Sequence, residues 1–177
     1  MMNHNKIQLI KIDSSDIEEL QELSKQTFFD AFSLGNSDEN IQAYLKTGFA
    51  YEKLAQEIDN VNSEFYFAKT GGKLIGYLKI NSGDAQTEFR DNKGLEIERI
   101  YVLHDYQGKK AGQILQDKAI EIANHKHADY IWLGVWEKNP RAINFYKKNR
   151  FVQFDKHFFK VGNDEQTDIL MKLVLRN

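Results

Sequence analysis

Leu95-Glu96-Ile97-Glu98-Arg99-Ile100-Tyr101-Val102-Leu103-His104-Asp105-Tyr106-Gln107-Gly108-Lys109-Lys110-Ala111-Gly112-Gln113 holds the junction that decides the fold. A strand, Leu95 to Val102, runs into a turn carrying Gly108. A helix from Ala111 to His125 follows, with Ile114, Leu115, Ala119 and Ile122 on its buried face. The first turn of a helix exposes N–H groups that have no internal partner, and the positive end of the helix dipole lies there. Such a corner suits a phosphate group, and Lys109 and Lys110 add positive charge. Spacing alone fits a plain strand-to-helix turn with solvated lysines equally well. The nucleotide P-loop pattern G-x-x-x-x-G-K-[ST] is absent.

Downstream, Tyr130 to Val135 is apolar on both faces, as a central strand requires. Asn139 then precedes Pro140, the only proline, and this pair signals the start of a helix from Arg141 to Lys148. Phe151 to Lys160 and Asp168 to Leu175 read as two closing strands. Upstream, Ile7, Leu9, Ile10 and Ile12 mark a first strand. Asp13 or Ser14 caps a helix carrying Ile17, Leu20, Leu23, Thr27, Phe28 and Ala31 at helical spacing. A second helical region starts at Ser37 or Asp38, carries Ile41, Tyr44 and Leu45, and continues past Gly48 through Leu54, Ala55 and Ile58. Phe65 to Lys69 and Leu74 to Ile80 form a hairpin closed by Gly71 and Gly72. Residues 81–94 read as a polar loop. The order predicts an α/β (α+β) chain on a mixed, mostly antiparallel sheet of seven strands with about four helices. Hairpins imply antiparallel pairs, and the strand–helix–strand unit 95–135 implies a parallel one.

The 177 residues suffice for one domain over 1–177 with a sizeable core. Hydrophobic residues at 41% and charged residues at 28% mark a globular chain. The net charge of -2 gives no basic surplus for nucleic acid. With no cysteine, thiolate nucleophiles, disulfides and Cys-based metal sites are excluded. The five histidines, His4, His104, His125, His127 and His157, have no metal-ligand spacing with acidic partners, so no metal is expected. No signal peptide or membrane-length apolar run is seen, and a cytoplasmic location is expected.

Trp132-Leu133-Gly134-Val135-Trp136-Glu137-Lys138-Asn139-Pro140-Arg141-Ala142-Ile143-Asn144-Phe145-Tyr146-Lys147-Lys148-Asn149-Arg150-Phe151 resembles the second signature of the GNAT N-acetyltransferases. It has the strand, the Asn at a helix start, Phe-Tyr near the helix end and a Phe-led strand. The Gln107–Gly112 turn resembles that family's acetyl-CoA loop, [QR]-x-x-G-x-[GA], in the expected order and separation. Further stretches (residues 95–101, 131–137 and 164–168, with Thr27-Phe28, Glu39-Asn40 and Ala43-Tyr44-Leu45) are similar to the PaiA-type bacterial polyamine N-acetyltransferases. Two positions depart from the pattern: Lys110 and Arg150 stand where the family usually has glycine. If Lys110 needs a positive φ, the residue costs ~1 kcal/mol there.

The resemblance implies acetyl-CoA as co-substrate, held where the fourth and fifth strands splay apart. The backbone of Ile100, Tyr101 and Val102 flanks the acetyl and pantetheine part. Gln107, Gly108, Lys109, Lys110, Ala111, Gly112 and Gln113 form the pyrophosphate loop. Asn139 reaches the pantetheine arm, and the basic run containing Lys148 reaches the 3′-phosphate. Tyr146 takes the general-acid position that protonates the departing thiolate. An alkyl ammonium of pKa ~10.4 must lose a proton before it attacks. Glu98, then Glu96, are the candidate bases, since both lie on one strand face. The acceptor implied is a small amine such as spermidine or spermine; the alternatives are another acceptor (an amino acid, a peptide N-terminus or an aminoglycoside) or a non-catalytic acyl-CoA-binding regulator on the same fold. Asp30, Asp38, Glu39, Asp84 and Glu88 are carboxylates near its expected wall, and a homodimer is the family expectation.

Overall fold

The structure is a computed structural model and describes residues 6–161 and 164–175. His4 and the ends of the expected 1–177 domain lie outside these residues. Seven strands form one sheet: β1 (Gln8–Lys11), β2 (Ser63–Thr70), β3 (Lys73–Ser82), β4 (Gly94–Val102), β5 (Tyr130–Trp136), β6 (Val152–Val161) and β7 (Asp164–Val174). Their spatial order is β1-β2-β3-β4-β5-β7-β6. Every adjacent pair is antiparallel except β4 and β5, which run parallel across a helical crossover. The five helices are α1 (Ile17–Phe32), α2 (Asp38–Gly48), α3 (Tyr51–Asp59), α4 (Ala111–His125) and α5 (Pro140–Lys148).

The fold expected from the sequence is present with three differences. Gly48 does not merely interrupt a long helix: Phe49 and Ala50 separate α2 from α3, making five helices rather than about four. β3 runs to Ser82, so the expected loop starts later. β7 begins at Asp164 rather than Asp168, because its polar residues are bonded inside the fold. Gln166, for instance, is buried and its Oε1 accepts from Trp136 Nε1 at 2.7 Å.

Two apolar layers cover the sheet. One joins α4 and α5 to Leu95, Ile97, Ile131, Leu133 and Met171. The other joins α1, α2 and α3 to Phe65, Phe67 and Tyr77. Strand β4 changes allegiance along its length. Leu95 and Ile97 face the α4 layer, and so do Ile100 and Val102, while Tyr101 and Leu103 pack in the α1–α3 layer. The cause is a bulge: Lys79 pairs with Arg99 and Ile80 with Ile97, leaving Glu98 unopposed. One extra residue reverses the inward–outward alternation.

Parallel pairing between β4 and β5 covers only Gly94–Ile97 opposite Tyr130–Leu133. Beyond Ile97 the two strands part, and five more residues of β4 run on without β5 beside them. The gap opens at this point in the middle of the sheet.

Candidate active site

The gap has a backbone-built floor at the start of α4. After β4, a 3-10 turn (His104–Tyr106) leads to Gly108 at φ 75° and Lys110 at φ 69°. Lys110 is the N-cap of α4, in the left-handed conformation, with no side-chain cap. The cost anticipated for a lysine at such a φ therefore applies. The first helical bond is Ile114 N–H to the Lys110 carbonyl at 3.0 Å. Among the described residues, no partner within the chain is found for the backbone N–H groups from Gly108 through Gln113. Six donors, the helix dipole and two lysines converge on one corner, which matches the chemistry of a pyrophosphate. Gln107 ties this corner to its neighbours: its Nε2 donates to the Val102 carbonyl at 3.0 Å, and its Oε1 accepts from Arg141 of α5.

Helix α5 brings up the second wall. Asn139 caps it through Oδ1, which accepts from the Ala142 N–H at 3.1 Å. Its side-chain NH2 has no partner among the described residues and remains a free donor. At the other end Arg150 adopts φ 67°. Arg150 N–H reaches the Lys147 carbonyl at 3.0 Å, and Phe151 N–H reaches the Tyr146 carbonyl at 3.0 Å. These two bonds form a Schellman motif with Asn149 as C-cap. The motif folds Phe151 back against Tyr146, with ring centroids 5.6 Å apart. Tyr146 is thus buried and pinned by its own helix end, and burial alone pushes its phenol above the ordinary value. Its hydroxyl has no hydrogen-bond partner among the described residues. Lys148 lies exposed on the last turn.

The α1–α3 side of the gap is built from side-chain charge. Glu57 of α3 takes Arg99 in a two-pronged contact, at 2.8 and 3.0 Å, and Lys79 at 3.1 Å. Glu98 contacts Lys79 at 2.5 Å and Arg99 at 3.1 Å, and accepts from Asn81 at 2.6 Å. Burial works to raise the Glu98 carboxyl, but Arg99 and Lys79 outweigh it and hold it below the ordinary range. Glu96, 3% exposed, is pushed up by burial, yet both oxygens are occupied. Thr87 donates to it from its N–H at 2.9 Å and from its hydroxyl, and Asn81 donates at 3.0 Å. Glu98 holds its charge among Lys79, Arg99 and Asn81 and lines a cleft with Glu57 and Thr87, while both oxygens of Glu96 accept hydrogen bonds. Asn81 donates to both, so they share a face, on which Glu96 is buried and Glu98 half-buried.

The other expected acceptor residues are scattered. Asp30 accepts from Gln26 at 2.9 Å, Asp38 and Glu39 are exposed in the first turn of α2, and Asp84 lies in a 3-10 turn. Glu88, in the segment before β4, lies 3.0 Å from His157 of β6. Among the described residues, no group of three acidic or histidine side chains converges on a metal position.

A model of the acetyltransferase (GNAT) family matches residues 17–151. The chain belongs to the GNAT acetyltransferase family. It is an acetyl-CoA-dependent N-acetyltransferase, and acetyl-CoA is its co-substrate. An uncharacterised N-acetyltransferase from the pepI 3′ region of Lactobacillus delbrueckii subsp. lactis is 38% identical over 169 residues, covering 96% of this chain and 98% of the relative. Spermidine N(1)-acetyltransferase of Thermoplasma acidophilum is 26% identical over 170 residues, covering 94% and 96%. The crystal structure of the PaiA N-acetyltransferase from Thermoplasma acidophilum in complex with coenzyme A superposes with a TM-score of 0.79. It is 25% identical and covers 96% of this chain and 99% of that one. Among the described residues no helix is long and apolar enough to cross a membrane.

Proposed function

We propose that this N-acetyltransferase acts on a primary amine of a small cationic acceptor of the polyamine class, such as spermidine. The observation that carries the catalytic half is the early parting of β4 and β5 after Ile97 and Leu133, with six unpartnered N–H donors at one end and Tyr146 on the facing helix. The acceptor class is supported by the likeness to the spermidine N(1)-acetyltransferase of Thermoplasma acidophilum.

In this reading the N–H groups of Gly108 to Gln113 hold the pyrophosphate, with Lys109 and Lys110 contributing charge. The edge of β4 at Ile100, Tyr101 and Val102 has lost β5 as a ladder partner, and the pantetheine amides take its place. The free NH2 of Asn139 adds a donor to the same arm, and Lys148 reaches the 3′-phosphate. The neutral amine attacks the thioester carbonyl carbon, the C–N bond forms, the nitrogen gives up a proton to water and the C–S bond breaks. The departing thiolate, whose thiol has pKa ~8.5, takes the Tyr146 proton, and water restores it. A phenol raised by burial stays protonated at neutral pH, which a proton donor needs.

A thiol-release assay with acetyl-CoA and a panel of amines tests this. Spermidine and spermine are expected among the best substrates. Turnover of a peptide N-terminus or an aminoglycoside, with no turnover of polyamines, would replace the acceptor and leave the mechanism standing.

A further inference from the structure

Gly134 sits in β5, between β4 and β7 near the middle of the sheet, yet it is exposed. It is the first residue of β5 past the last pair with β4, so it lies where the gap opens. The side chain of Asp168 from β7 covers it. A Cβ on Gly134 would lie 3.1 Å from Asp168 Oδ2 and 3.4 Å from Leu170 Cδ2. Any larger residue at 134 would crowd the carboxylate, and glycine leaves it a notch.

Asp168 is flanked in the sheet by Trp136 on one side and His157 on the other. Neither neutralises it: the Trp136 N–H donates to Gln166, and His157 pairs with Glu88. Among the described residues the Asp168 carboxylate has no hydrogen bond and no ion pair. A largely buried carboxylate without a partner costs stability unless something outside the chain completes it. Tyr44 of α2 and Tyr101 at the end of β4 stand close by. Burial raises both phenols first, and the Asp168 charge adds to the rise. The facing titratable groups are therefore Tyr44, Tyr101, His157 and Glu88. Among the described residues no lysine or arginine pairs with Asp168, and the neighbouring His157 is engaged by Glu88.

We propose that Asp168, lying over Gly134 at the mouth of the gap, is the residue that binds the positively charged amine of the acceptor. This rests on the cationic-acceptor reading above and names the side chain responsible. An ammonium arriving at the notch supplies the missing counter-charge, and the two tyrosines form the wall around its alkyl chain. Burial, opposed by His157 and reinforced by Glu88, pushes the Asp168 carboxyl up to about 6. Binding of a cation then weakens as pH falls through 6 and the carboxylate takes a proton.

The test compares wild type with Asp168→Asn in the thiol-release assay, using spermidine and any other amine that wild type turns over. The variant is expected to raise the amine KM tenfold or more, leave the acetyl-CoA KM within twofold, and melt no lower than wild type at pH 8. The wild-type acid limb of kcat/KM near pH 6 disappears in the variant, and a limb that persists counts against Asp168. An unchanged amine KM overturns the proposal, and so does a fall in kcat alone, which makes Asp168 a proton acceptor instead. Should wild type prefer a peptide amine, the polyamine reading fails while the KM comparison on that amine still decides Asp168. If no amine is turned over, calorimetric titration of spermidine into the CoA-loaded protein gives the answer: equal affinity for both proteins rejects the assignment.

Discussion

The two sides of the gap are made of different material. On the α4 side the recognition groups are backbone N–H donors, fixed by the path of the chain from Gly108 to Gln113. On the α1–α3 side they are charged side chains drawn from distant segments: Glu57, Lys79, Glu98 and Arg99 in one network, and Asp168 alone at the gap. A backbone site tolerates most substitutions, because every residue carries the same N–H. A side-chain site is lost with one atom group. The co-substrate corner should therefore be robust to mutation and the charged side fragile.

The largest effect is expected where the charged side is broken. Arg99→Met leaves Glu57 and Glu98 facing each other with Lys79 as the remaining buried cation. Removing one member of a buried ion network costs about 3–5 kcal/mol, read from the urea midpoint. If the loss is below about 1 kcal/mol, the network is not a structural strut and the contrast weakens. Next comes Tyr146→Phe, which belongs to neither material but to the chemistry between them. It should lower kcat about 100-fold with acetyl-CoA KM within twofold, since general acids contribute about that much or more. An unchanged kcat removes Tyr146 from the mechanism.

Asp168→Asn should have a smaller effect on stability, and of opposite sign. Its carboxyl is raised in the folded state, so folding disfavours the ionised form. That penalty is fully present above pH 6 and fades below it as the carboxylate is protonated. At pH 8 the variant should gain about 1–3 kcal/mol, and the gain should vanish near pH 4. A variant less stable than wild type at pH 8 means the carboxylate has a structural partner. The smallest effect falls on the backbone side. Lys110→Gly relieves a left-handed lysine and should gain about 1 kcal/mol, with acetyl-CoA KM changed by less than about threefold. A larger rise in KM shows that the lysine charge, and not the N–H array, does most of the holding.

The same division explains what the sequence disclosed. The α4 corner lies within one contiguous stretch, so strand, turn and helix start can be read from local pattern. Asn139-Pro140 likewise announces α5, and the observed cap bond agrees. The charged side is assembled from Glu57, Lys79, Glu98 and Arg99, of which Glu57 stands 42 residues from Arg99. No periodicity encodes such a meeting. Glu96 and Glu98 were visible as a pair, but their burial depends on Thr87 and Lys79, which the loop and hairpin readings left without a role. Asp168 was visible only as the start of a closing strand and as part of a resemblance. Its place became apparent from the exposed glycine beneath it, and that glycine means something only once β4 is seen to leave β5. Conversely, Lys110 and Arg150 were legible as exceptions, because glycine is the residue such corners ordinarily carry. Both turn out to be left-handed.

The bulge at Glu98 has a consequence for how this strand can change over time. It acts as a parity marker. Upstream and downstream of it, even and odd positions exchange which layer they serve. Each half of β4 can therefore vary under its own rule, so long as the count between them is kept. Pairing Glu98 regularly with β3, so that the bulge is ironed out and no residue is lost, would leave every side chain chemically intact. It would nonetheless turn Arg99 and Tyr101 away from α3 and α1 and present Ile100 and Val102 in their place.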